Sequence, residues 1–111
     1  MKYAIVGSRE YANETLVRKF IRLLPKDSII ISGGATGPDS WAVDEAKKQG
    51  LKTIVFLAEW DKFGKRAGYL RNITIVNECD KLIAFWDGKS KGTKHSIDLA
   101  NKQDKVQQIF S

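Results

Sequence analysis

Short apolar runs alternate along this chain with longer amphipathic stretches. The runs at 3–6, 28–31, 53–57, 81–86 and 106–110 are rich in β-branched residues and have the length of strands. Between them, Leu16, Phe20, Ile21 and Leu24 recur at helical spacing. Trp41, Ala42, Glu45 and Ala46 repeat it less cleanly, then Leu70, Ile73, Thr74 and Asn77, and finally Ile97, Ala100 and Asn101. The segment Ile73-Thr74-Ile75-Val76 has strand propensity, but Arg71, Asn72, Asn77 and Glu78 flank it and a crossover is needed there, so helix is expected. Asn13 is placed to cap the first helix, Pro25 to stop it, Pro38 to open the second and Gly50 to close it.

Strands that alternate with helices build an α/β fold. The expectation is a Rossmann-like, doubly wound, five-stranded parallel sheet with helices on both faces and the first strand central. With 111 residues there is one core and one domain, 1–111. Ligands of such sheets bind beyond the carboxyl ends of the strands, where the winding reverses. The loops at those ends are therefore the places to look for chemistry.

After the second strand, Ser32-Gly33-Gly34-Ala35-Thr36-Gly37 leads into a helix. Glycines there let amides approach an anion, and the helix start adds a favourable dipole, although a purely structural turn needs the same residues. The string is neither a P-loop nor a GxGxxG fingerprint. Asp39, in the first helical turn, would repel a phosphate, but it can cap amides or accept from sugar hydroxyls. After the fourth strand, Gly88 and Gly92 bracket Ser90, and Thr93 begins a helix among Lys89, Lys91 and Lys94. Trp60 and Trp86 are expected at strand ends, either stacking on a base or lidding the sheet. Gly7, Ser8 and Arg9 follow the first strand, and Arg9 is suited to clamp a phosphate. His95, the sole histidine, has an acid–base reading and an ordinary helix-start one. Asp44 and Glu45, beside Lys47 and Lys48, read as a solvated helix face.

Charge narrows the partner. The net +6 favours an anion, but the lysines are scattered. Two stretches concentrate it: Lys62, Lys65, Arg66 and Arg71, with no acid from 62 to 77, and Lys89 to His95. Cys79 alone forms no internal disulfide and no Cys/His cluster has metal-ligand spacing, so a reducing cytoplasm is expected and no metal or cofactor. The apolar run at the start is too short for a signal peptide, and none approaches membrane-spanning length.

Four strings occur in order: Gly7-Ser8-Arg9; Ser32 through Asp39; Trp60-Asp61 through Gly68-Tyr69-Leu70-Arg71-Asn72; and Ala84-Phe85-Trp86-Asp87-Gly88-Lys89-Ser90-Lys91-Gly92-Thr93. Together they resemble the YspA-like branch of the SLOG superfamily, named for the Smf/DprA and LOG proteins. The resemblance implies a Rossmann-like domain that binds nucleotides or their derivatives at Gly7, Ser8, Arg9, Ser32 to Gly37, Asp39, Trp60, Arg71, Asn72, Trp86, Asp87, Gly88, Ser90, Gly92 and Thr93. LOG-type members hydrolyse nucleoside 5′-monophosphates, which would make Arg71 and His95 catalytic. His95, however, stands where their pattern has glutamate, and imidazole stabilises an oxocarbenium-like state less well than a carboxylate. Binding or sensing of a nucleotide-derived small molecule therefore ranks first, hydrolysis second and DprA-type single-stranded DNA binding third. A homodimer is expected from the resemblance alone.

Overall fold

The computed structural model describes every residue, Met1–Ser111. Five strands, β1 (Lys2–Gly7), β2 (Ile29–Ser32), β3 (Lys52–Val55), β4 (Lys81–Phe85) and β5 (Val106–Phe110), form one sheet in the order β3-β2-β1-β4-β5. Every pairing is parallel, and β1 is central, with Ala4 opposite Ile31 on one side and Leu82 on the other. Winding runs from β1 outward to β3 and then crosses to β4, so it reverses between the carboxyl ends of β1 and β4.

The period of two along β1 divides the molecule into layers. Tyr3 and Ile5 face one side, with Val17 and Ile21 of α1 (Glu14–Arg22) and Ala42 and Ala46 of α2 (Pro38–Lys48). Ala4 and Val6 face the other, with Ile75 and Val76 of α4 (Ala67–Glu78) and Ile97 and Ala100 of α5 (Lys91–Lys102). Helices thus cover both faces, as expected for parallel strands that must bury both. Truncating Ile21, fully buried in the first layer, would cost about 2–5 kcal/mol. No helix is long and apolar enough to cross a membrane.

Asn13 Oδ1 accepts the Leu16 amide at 3.1 Å, Pro38 opens α2, and the stretch 73–76 is helical within α4. Three sequence expectations are corrected. The third strand ends at Val55, and Trp60 opens an extra short helix, α3 (Trp60–Phe63), followed by a 3-10 turn (Gly64–Arg66), so Trp60 does not end a strand. β4 stops at Phe85, one residue before Trp86. Glu45 is only 2% exposed and is not on a solvated face. It accepts from Arg18 at 3.3 Å, Arg22 at 3.2 Å and Gln49 at 2.8 Å, locking α1 to α2, and these donors hold its carboxyl below the usual range.

Candidate functional site

The loops after β1, β2 and β4 and the start of α4 meet around a cleft of ≈ 240 Å³ at the carboxyl end of the sheet. Gly7 and Arg9 come from the first loop, Ala35, Thr36 and Asp39 from the second, Arg71 and Asn72 from α4, and Ser90, Gly92 and Thr93 from the fourth. Ten of the residues singled out in the sequence thus share one cavity, at the reversal point. The sequence reading missed its floor, Val6 and Ile75, and Ser96; nothing marks those residues before the layers are known.

Arg71 organises this cavity. Its Nη1 donates to the Gly33 carbonyl at 3.0 Å and its Nε to Asn72 Oδ1 at 3.3 Å. The guanidinium lies where a side chain on residue 33 would be, so only glycine permits this approach. Asn72, buried in turn, donates to the Gly92 carbonyl at 3.3 Å, tying α4 to the fourth loop. Asp39 is 6% exposed and its Oδ2 accepts the Gly33 amide at 3.2 Å. Burial pushes its carboxyl up to about 6, against the opposing pull of Arg71 and the loop amides.

The first loop is held at both ends. The Ser8 amide donates to the Phe85 carbonyl at 3.0 Å, and Ser8 Oγ accepts the Asp87 amide at 3.1 Å. The buried Tyr11 donates its amide to Ser8 O at 3.0 Å and sets its ring edge-on to Phe85 at 5.6 Å. Arg9, between these anchors, is exposed. Gly37, with φ of 95°, caps α2 against the Ser8 and Arg9 backbone.

A second cleft of ≈ 310 Å³ adjoins the first and shares Arg9, Arg71, Asn72 and Gly92 with it. Trp60, Lys65, Gly68 and Tyr69 complete it; Trp60 is 58% exposed and Tyr69 52%. Trp60 therefore reaches the site from α3, and Lys65 brings part of the acid-free basic stretch. Lys65, Gly68 and Tyr69 were not among the expected site residues, because only the extra turn after β3 carries them to the rim.

The remaining expected residues lie elsewhere. Ser32 and Gly33 are buried beneath the second loop, and Gly34 opens toward Val55 and Leu57, away from the cleft. Trp86 donates its ring N–H to Ser90 O at 3.1 Å and packs on the core beside α5, so it braces the loop and does not present a free face. Asp87 accepts the amides of Lys89 at 2.8 Å and Ser90 at 2.9 Å, which hold its carboxyl below the usual range. Gly88, with φ of 80°, lies in open space. His95 lines neither cleft: its Nδ1 is 3.3 Å from Asn72 Nδ2, its ring meets Tyr69 edge-on, and burial lowers its pKa. Of the second basic stretch, Lys94 is engaged with Asp98 at 2.8 Å.

Residues 1–62 match the family model of DNA recombination-mediator protein A. The chain belongs to that family. Its sequence is also similar to the Gene 61 protein of Mycobacterium phage D29, 34% identical over 108 residues, covering 88% of this chain and 86% of that protein. The fold is that of DNA processing protein A (DprA) from Streptococcus pneumoniae, with a TM-score of 0.86 and 24% identity over 99% of this chain and 50% of that one. DprA from Helicobacter pylori, whose structure addresses its single-stranded DNA binding mode, aligns with a TM-score of 0.72 and 25% identity over 97% of this chain and 64% of that one. The chain therefore spans about half to two thirds of the solved DprA proteins. A DprA-type domain agrees with the SLOG superfamily expected from the sequence. The partner order expected there is corrected: the Helicobacter relative is described by its single-stranded DNA binding mode, which points to nucleic acid and against the nucleotide-derived small molecule ranked first.

Proposed function

We propose that this protein binds single-stranded DNA along the carboxyl-end rim of its sheet, with the two adjoining clefts acting as one groove. The observation that carries this reading is their continuity through Arg9 and Arg71, with two exposed aromatic rings alongside. Single-strand binders combine a basic track for the backbone with aromatic faces for successive bases, each stack contributing about 1–3 kcal/mol. Arg9, Lys65 and Arg71 supply the track, and Trp60 and Tyr69 the faces. Membership of the DNA recombination-mediator family and the single-strand binding of the Helicobacter relative support the same reading.

Fluorescence anisotropy with labelled strands of increasing length tests it. Affinity should rise with length until the groove is filled, fall steeply with salt as counterions are displaced, and resist competition by a mononucleotide. Binding that is independent of length, or fully competed by a mononucleotide, would overturn the proposal.

A further inference from the structure

The geometry points to Asp39 as a base-reading residue within that groove, one that accepts hydrogen bonds from the Watson–Crick edge of guanine. The inference rests on the single-strand reading above and names what its inner cleft selects. Asp39 is 94% buried by its 6% exposure, yet its side chain lines the 240 Å³ cleft. The Gly33 amide donates to the carboxylate at 3.2 Å, and the Ser32 hydroxyl and Ala35 amide also favour its charge, but two oxygens offer about four lone-pair sites. Arg71 does not pair with it: that guanidinium is directed at the Gly33 carbonyl and Asn72 Oδ1. The chain thus leaves part of the acceptor capacity of a buried anion unfilled at a residue that lines the cavity, where a bound donor would be strongly favoured.

The surroundings say what kind of donor fits. Val6 and Ile75 give the cleft an apolar floor suited to a flat ring, whereas a phosphate placed there would meet the carboxylate at close range. Phosphates belong on the outer side, with Arg9 and Arg71. Among the DNA bases only guanine carries two adjacent donors on one edge, N1–H and the 2-amino group, which match a carboxylate. Thymine presents one N–H between two carbonyls that Asp39 would repel, and adenine and cytosine set a single amino group beside an acceptor nitrogen. The carboxyl, raised to about 6, is still ionised slightly above neutral pH and so acts purely as an acceptor.

The test compares a thymidine strand of about twelve nucleotides, within known site sizes, with the same strand carrying guanine at every third position. Both are titrated against wild-type protein and Asp39→Asn slightly above neutral pH. Wild type should prefer the guanine strand by about tenfold, the ratio expected of a bidentate base contact. Hypoxanthine in place of guanine, which lacks the 2-amino group, should lose most of that preference. Asp39→Asn should equalise the strands by weakening binding of the guanine strand more than that of the thymidine strand. Equal binding of both strands by wild type would overturn the inference and leave the groove intact. A loss common to both strands in Asp39→Asn would reduce Asp39 to holding the loop and equally overturn it. Failure of wild type to bind any strand would instead defeat the single-strand proposal itself.

Discussion

The loops after β2 and β4 look alike in sequence, each glycine-rich and each opening a helix, but they are built on opposite principles. In the first, a side chain added at Gly33 would collide with Arg71, and one at Gly37 would press on the Ser8 and Arg9 backbone at 3.2 to 3.3 Å. In the second, Gly88 and Gly92 have nothing within 4 Å. The loop amides are also occupied differently. Gly33 donates to the side chain of a residue inside the following helix, whereas Lys89 and Ser90 donate to Asp87, which precedes them. The first loop is shaped by the distant Arg71 packed against it; the second takes its turn from its own Asp87, with Ser8 and Asn72 only tying it to its neighbours. A glycine-rich string therefore does not reveal whether its glycines make room for a neighbour or only for a turn.

Substitutions separate the two designs. Gly33→Ala should have the largest effect, because its methyl group displaces the Arg71 guanidinium. Single-stranded DNA affinity is expected to fall at least tenfold with the salt slope reduced by about one, while circular dichroism shows the fold retained. Unchanged affinity would mean that the crowding around Gly33 has no bearing on binding.

Asp39→Asn comes next and reads the buried anion through stability. The native carboxyl titrates near 6, above its ordinary value of 3.8, so between those values the native state holds a proton that the unfolded chain releases. Stability of the wild type should fall as pH rises through that window and stay lower above it. The Asn variant should lack this slope and be more stable at neutral pH by about 1–3 kcal/mol in urea titrations. Parallel pH profiles for the two proteins would contradict the assigned cost of burying Asp39.

In the second loop the effects shrink. Ser90 Oγ accepts the Thr93 amide at 3.3 Å as the cap of α5, so Ser90→Ala should lower stability by about 1 kcal/mol. Gly92→Ala should stay within about 0.5 kcal/mol of wild type in thermal melts, since nothing stands near its added methyl. A large loss there would erase the contrast between the loops.

Much of this was legible in the sequence. Five β-branched runs and four amphipathic stretches specify a parallel sheet covered on both faces, and the rule for such sheets located the rim where Arg9, Asp39, Arg71 and Gly92 converge. Non-local features escaped. Glu45 sits beside lysines in sequence, and its partners Arg18 and Arg22 lie on another helix. Trp60 reaches the groove from a four-residue helix too short to leave a periodic signal. Trp86 offered the same apolar ring as Trp60, but only the folded loop brings the Ser90 carbonyl to its N–H. The proposed preference for DNA over a small molecule is not encoded in any one loop; it rests on the relatives and on the continuity of the two clefts.

The anchoring of the β1–α1 loop has a consequence for how binding would register calorimetrically. Ser8 is bonded to β4 and its loop, and Tyr11 is packed against Phe85, so the backbone that carries Arg9 is already fixed in the free protein. A cation on a slack loop loses conformational entropy when a ligand immobilises it, whereas here only the Arg9 side chain has freedom left to lose, about 0.5–1.5 kcal/mol. Tyr11→Ala, by loosening that anchor, should make the entropy of DNA association more unfavourable even though residue 11 lines neither cleft.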